Sequence, residues 1–176
     1  EKIAQYVIEH FVKENDSIMI DSSSTCYQLA KKIIDSGMNV TIITNSLKIM
    51  ELFDKQQPNA RLIGIGGKFR SKSCSFVGDT AVKEIESYLV DKCFISTSAL
   101  DPVHGLIDSS SQECQIHKKI LEHSKYHYVL ADHTKFSARA DYIVSELKNL
   151  NSVITDCKSD PMWDRIFEEL NVDFMY

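Results

Sequence analysis

Small hydroxyl residues, glycines and a few charged side chains recur in this sequence at one kind of place, directly after short apolar runs. Asp21-Ser22-Ser23-Ser24-Thr25 follows the run at 17–20, and Thr44-Asn45-Ser46 follows 40–43. Gly66-Gly67-Lys68-Phe69-Arg70 follows 61–65, Ser96-Thr97-Ser98 closes 92–96, Asp132-His133-Thr134-Lys135 closes 128–132, and Thr155-Asp156 ends 153–156. Glycines and small hydroxyl residues let backbone N–H groups approach an anion, and a following helix adds the positive end of its dipole. Carboxylates and an asparagine beside them suit sugar hydroxyls. The sum describes a pocket for a small, polyhydroxylated, phosphorylated molecule.

Each piece also has a plainer reading. Ser22–Thr25 could only cap a helix, and Asp21 could close a turn with local amides. Gly66-Gly67 could be a tight turn, since neither GxGxxG nor a Walker motif is present. Lys68, Arg70 and Lys135 could be solvated surface charges. The coincidence of all of them at run ends favours a site. No HxxxH or HExxH pair among the six histidines comes with a third ligand, so no metal is expected, and no cofactor. Cys26, at a helix start that would stabilise a thiolate, reads as a small buried apolar group. No Gly-x-Ser-x-Gly elbow places a serine nucleophile.

The elements that must position these residues alternate. Apolar residues at helical spacing occupy 3–12, 25–35, 46–54, 79–89, 112–123 and 162–170, and short β-branched or apolar runs lie between them. In the helix expected from Asp79 to Leu89, Asp79 caps and Val82, Ile85 and Leu89 face inward. Stretch 133–152 is the least periodic and reads as a loop or small excursion. Strands alternating with helices predict an α/β fold, a Rossmann-like, mainly parallel sheet flanked by helices; no repeat or linker divides the chain, so residues 1–176 read as one domain.

Composition narrows the function. The 176 residues carry 20 Lys+Arg against 25 Asp+Glu, a net charge of −5, with no basic run to hold nucleic-acid phosphates. Five cysteines without a CxxC pair fit reduced thiols in a cytoplasmic protein. No apolar run approaches the ~20 residues of a bilayer span, and no signal peptide is visible. The start at Glu1, inside a helical pattern, suggests a piece of a longer protein.

At these residues the chain resembles the C-terminal effector-sensing domain of the DeoR family of bacterial sugar-metabolism repressors. The family's Asp-x-Gly-[Ser/Thr]-Thr after a strand is similar to Asp21–Thr25, its Thr-Asn-Ser to Thr44-Asn45-Ser46, and its Gly-Gly-x-x-Arg to Gly66–Arg70 followed by Val77-Gly78. Its Val-Asp-Lys-x-Phe is matched by Val90–Phe94, its loop Asp and Gly-Leu by Asp101 and Gly105-Leu106, its helix-opening Glu by Glu113, and its Asp-x-[Ser/Thr]-Lys-Phe by Asp132–Phe136. Ser23 stands where the family has Gly, Ser98 near another usual Gly, and His117 where it has a basic residue.

The resemblance implies a fold similar to ribose-5-phosphate isomerase and glucosamine-6-phosphate deaminase, used for sensing. It implies a phosphorylated sugar as effector, with phosphate on the amides of Ser22, Ser23, Ser24 and Thr25 and of Gly66 and Gly67, supplemented by Lys135. Thr44, Lys68 and Arg70 complete the expected set, with Asp21, Asn45, Asp101 and Glu113 reading hydroxyls. It further implies a homodimer or homotetramer, and DNA contact only through an N-terminal winged helix-turn-helix outside this chain. The rival reading is an aldose–ketose isomerase or deaminase on the same scaffold, with Asp21, Asp132 or Glu113 as general base.

Overall fold

The computed structural model describes residues 1–56, 58–136 and 138–176. In chain order the first half forms α1 (Lys2–His10), β1 (Ser17–Ile20), α2 (Ser24–Ser36), β2 (Thr41–Thr44), α3 (Leu47–Gln56), β3 (Arg61–Gly64), β4 (Lys68–Arg70), β5 (Ser75–Val77) and α4 (Asp79–Ile85). The second half forms β6 (Val90–Ile95), β7 (Ala99–Asp101), β8 (Gly105–Asp108), α5 (Ser111–Glu122), β9 (Ser124–Leu130), β10 (Tyr142–Ser145), β11 (Ser152–Ile154), α6 (Pro161–Glu169) and β12 (Asp173–Met175).

Seven strands make the main sheet in the order β12-β11-β9-β6-β1-β2-β3, every neighbouring pair parallel. Its strands are β-branched and apolar because both faces are covered. Strand alternation sends Ile18, Ile20, Ile42, Phe94, Leu130 and Ile154 to a core shared with α1, α2 and α3. It sends Met19, Ile43, Cys93, Ile95, Val129 and Val153 to the opposite core, closed by α4, α5 and α6. After β1 the chain winds outward through β2 and β3, then returns to the other side of β1 as β6. Strand order therefore reverses between β1 and β6, which opens a crevice at their carboxyl ends.

The six strands anticipated from the sequence all lie in this sheet; β12, too short and polar to stand out, is the seventh. Two antiparallel additions were not anticipated either: the β4–β5 hairpin and the three-stranded β10-β8-β7 sheet. Their strands are three or four residues long, below the length at which alternation is readable. Stretch 133–152 contains β10, and position 137 within it lies outside the described residues.

One helix needs correction. Helix α4 stops at Ile85, and Leu89 is 82% exposed instead of inward. The amides of Ser87 and Tyr88 turn back to Glu84 and Ile85, and Val90 is drawn into the sheet by a bond from its N–H to the His123 carbonyl. Asp79 occupies the first helical position behind Gly78 and makes no side-chain cap.

The small sheet is pinned at Gly105, whose φ is +83° and where an added Cβ would stand 2.2 Å from the Ser145 carbonyl oxygen. Neither the backbone conformation nor the space admits a side chain. Gly105→Ala is therefore expected to lower unfolding free energy by about 2–4 kcal/mol. A urea titration monitored by circular dichroism measures this, and an unchanged midpoint would contradict the packing described.

Candidate functional site

The crevice is built on Asp21, the first residue after β1. Asp21 is 1% exposed, and its carboxylate accepts from four donors. The Ser23 amide and hydroxyl donate to Oδ1 at 2.9 and 2.6 Å; the Ser96 amide donates to Oδ2 at 2.7 Å, and His117 Nε2 lies 3.2 Å from the same oxygen. Asp21 thus ties the end of β1 to the end of β6 and to α5. Ser23 turns its hydroxyl to cap α2, accepting from the Cys26 amide at 3.2 Å. The amides of Ser24 and Thr25, in the first turn of α2, are left without an intrahelical partner.

His117 is held from its other side by Asp108, the last residue of β8, with Nδ1 at 2.7 Å from Oδ2. All three residues of this carboxylate–imidazole–carboxylate chain are less than a tenth exposed. Burial works against the charged form of His117, and the charges and hydrogen bonds of Asp108 and Asp21 overcome it, holding the imidazolium well above its usual range. Burial likewise raises Asp21, but the donors from His117, Ser23 and Ser96 outweigh it and hold the carboxyl at about 2.

Above this chain lies an open cavity of about 320 Å³. Of the residues expected from the sequence, it gathers Asp21, Ser22, Ser23, Ser24, Thr25, Glu113 and Lys135. It adds Lys48 from the first turn of α3, Lys72 and Ser73 from the tip of the β4–β5 hairpin, Ser96–Ser98, Asp108, His117 and Asp132. Lys48, Lys72 and Lys135 make no ion pair among the described residues. Lys48 sits two residues past the Thr-Asn-Ser run, which is where the sequence could have shown it. Lys72 and Asp108 depend on the short antiparallel pieces and carry no such signal.

The other expected residues lie outside the cavity lining and serve the frame. The Gly66 amide donates to Glu84 Oε2 at 2.8 Å, so it is not free for a ligand. Gly67 has φ +142° and faces α4; a Cβ there would stand 2.9 Å from the Val77 carbonyl oxygen. Thr44 Oγ1 accepts from the Ser46 amide at 3.1 Å. Asn45 is buried, its Nδ2 donating to the Phe76 carbonyl at 2.9 Å while the Phe76 amide donates to the Asn45 carbonyl at 2.8 Å. Lys68 points to solvent on β4. Arg70 supports the site indirectly, with Nη1 at 3.2 Å from Glu113 Oε1 and 2.9 Å from Ser73 Oγ. Asp101 closes its own turn, accepting from the Val103 and His104 amides.

Cys26 is buried and its thiol reaches the Phe94 carbonyl at 3.3 Å; burial, then the Asp21 charge, push its pKa far up. Among the described residues, one group brings three metal-capable atoms within 4.8 Å of one another: His133, Asp156 and Cys157. It stands after β9 and β11, and His133 is already bonded to Asp156 through its amide and Nδ1, at 2.8 and 2.9 Å. No helix of the described residues is long and apolar enough to cross a membrane.

Fold and site together define a Rossmann-like domain whose strand-order switch carries a polar, lysine-rimmed cavity. The family described as the DeoR C terminal sensor domain matches residues 1–157, and the chain belongs to that family. The HTH-type transcriptional regulator IolR of Bacillus subtilis (strain 168) is 34% identical over 170 residues, taking in 97% of this chain and 65% of that protein. The regulator YulB of the same organism is 33% identical over 163 residues, covering 92% and 62% respectively. The chain thus spans under two thirds of these relatives. Among solved structures, ribose 5-phosphate isomerase A from Methanocaldococcus jannaschii superposes with TM-score 0.53 at 18% identity over 77% of this chain and 52% of that one. The eIF2B delta chain from Chaetomium thermophilum gives 0.58 at 10% identity, over 86% and 53%. Both likenesses concern fold alone.

The buried triad makes stability depend on pH in a defined direction. His117 binds its proton more tightly when folded, so its contribution is whole below the ordinary imidazole value of 6.5 and drains as pH rises toward the raised folded value. His117→Gln is expected to cost about 3 kcal/mol at neutral pH by leaving two buried carboxylates without a cation. It is also expected to flatten that alkaline decline. Chemical denaturation of both proteins across the pH range measures it, and parallel curves would contradict the assignment.

Proposed function

We propose that this chain is the effector-sensing domain of a bacterial transcriptional repressor of sugar metabolism, and that a phosphorylated sugar binds in the cavity at the carboxyl ends of β1 and β6. The observation that carries the reading is the convergence of three unpaired ammonium groups with the free first-turn amides of α2 on one hydroxyl-lined cavity at the strand-order switch. A phosphate there meets the positive end of a 13-residue helix that has no acidic residue in its first turn. Ser22, Ser24 and Thr25 offer hydroxyls, and Lys135 a compact charge. The amides of Gly66 and Gly67 have no part in this reading, because the former is committed to Glu84 and the latter packs on α4.

Sensing is favoured over turnover by the state of the acids. An aldose–ketose isomerase needs a carboxylate free to take a proton beside the substrate carbonyl. Here Asp21 is saturated by four donors, Asp108 holds His117, Glu113 holds Arg70, and Asp132 caps its own turn by accepting from the Thr134 amide and hydroxyl. As part of a cytoplasmic repressor, a homodimer or homotetramer, the domain would bias its DNA-reading partner domain by binding effector unequally in two arrangements.

Titration calorimetry of the chain with a panel of phosphosugars tests the reading. At least one phosphosugar is expected to bind while its unphosphorylated parent does not. Lys135→Ala is expected to weaken that binding at least about tenfold while moving the ligand-free thermal midpoint by no more than about 2 °C. NMR of the same mixtures is expected to show substrate unchanged; isomerised or deaminated product would replace this reading with the enzymatic one.

A further inference from the structure

The cations of the cavity are not gathered at one point. Parallel strands stand about 4.8 Å apart, so the ends of β9 and β2, separated by β6 and β1, are about 14 Å apart along the sheet edge. Lys135 follows β9. It shares its end of the cavity with Ser24 and Thr25, which also line a neighbouring hollow together with Asp132, the residue that opens the turn carrying Lys135. Lys48 and Lys72 belong to the other end. The Leu47 amide donates to the Cys74 carbonyl at 3.0 Å and Ser46 bridges Ser75, which sets the start of α3 against the β4–β5 hairpin and brings the two lysines to the same side. Ser22 lies between these poles with the end of β6.

The charges facing each pole are accounted for. Near the second pole Glu113 is bound by Arg70, and near the first Asp132 is engaged by Thr134. On the floor His117 offsets one of its two carboxylates. Asp132 keeps its charge beside the first pole and one floor carboxylate stays unpaired, so the first pole offers one ammonium with two helix amides, whereas the second offers two ammonium groups and its nearby carboxylate, Glu113, is already paired. Two like charges on one side of a cavity, neither in an ion pair, are a favourable arrangement for an anion.

We infer that the effector is anionic at both ends: a sugar bisphosphate or a phosphorylated sugar acid, with one phosphate on Ser24, Thr25 and Lys135 and its second phosphate or carboxylate on Lys48 and Lys72. This rests on the reading of the cavity as a phosphosugar site and specifies its ligand class. A six-carbon chain with an anionic group on each terminal carbon has the length to touch both poles, and the hydroxyl-lined middle takes its polar carbons.

Calorimetry with matched pairs tests it: fructose 1,6-bisphosphate against fructose 6-phosphate, and 6-phosphogluconate against glucose 6-phosphate. The first pair separates a second phosphate from the carboxylate of the second pair. At least one doubly anionic member is expected to bind ten times or more tightly than its partner at fixed ionic strength. Lys48→Ala and Lys72→Ala are each expected to weaken the doubly anionic member more than its partner and so remove most of that advantage; both side chains are exposed, and thermal melts verify folding. Equal affinity within both pairs, or variants that weaken mono- and doubly anionic ligands alike, would overturn the inference and leave the phosphosugar reading intact. Binding by no phosphosugar would remove both.

Discussion

One buried imidazolium between two carboxylates organises this molecule. Asp21, His117 and Asp108 come from the end of a central strand, the middle of a helix and the end of a strand in a separate small sheet, three places that the backbone alone does not join. Two carboxylates removed from water would repel each other and each lose hydration; a single shared cation, with amide donors from Ser96 and Ser23, offsets both. Because Ser23 also caps α2, the same hydrogen bonds set the direction in which that helix presents its free amides. The polar floor and the anion-attracting helix end are one construction.

This explains why the site lies at β1 and β6. The parallel sheet needs helices on both faces, and the chain meets that need by winding away from β1 in one direction and then the other. The reversal leaves a gap between helices at the strand ends. The buried polar residues Asp21, Ser96, Thr97, Asp108 and His117 are gathered there, and the added antiparallel pieces wall the gap without entering the main sheet.

The sequence makes the layered α/β plan plain because the buried strands are continuous β-branched runs, and those signals do not depend on distant residues. It also makes plain the part of the site carried by strand ends, Asp21 to Thr25 and Lys135. It is less informative where residue type is ambiguous between ligand contact and framework. Gly66, Gly67, Thr44 and Asn45 have the chemistry of an anion cradle, yet the Gly66 amide is spent on Glu84, Asn45 donates to Phe76 of the β4–β5 hairpin, Thr44 accepts from the Ser46 amide, and Gly67 packs on α4. Lys48, Lys72 and Asp108 read as ordinary surface or turn residues, because what brings them to the cavity is a hairpin and a small sheet whose strands are too short for periodicity. His117 stands out in the sequence as a departure from the family pattern and as a partner four positions from Glu113, whereas its two actual partners are 96 and 9 positions away by number.

The β4–β5 hairpin is fastened to the body by main-chain bonds, from Leu47 to Cys74 and from Phe76 to Asn45, and by Arg70 at its base. Of the side chains at 71–73 only Ser73 joins these anchors, through Arg70; those of Ser71 and Lys72 take no part. The tip is therefore interchangeable in a way the floor is not: different residues can be displayed there on an unaltered platform, so that descendants of one scaffold could come to recognise different metabolites by exchanging a few exposed positions.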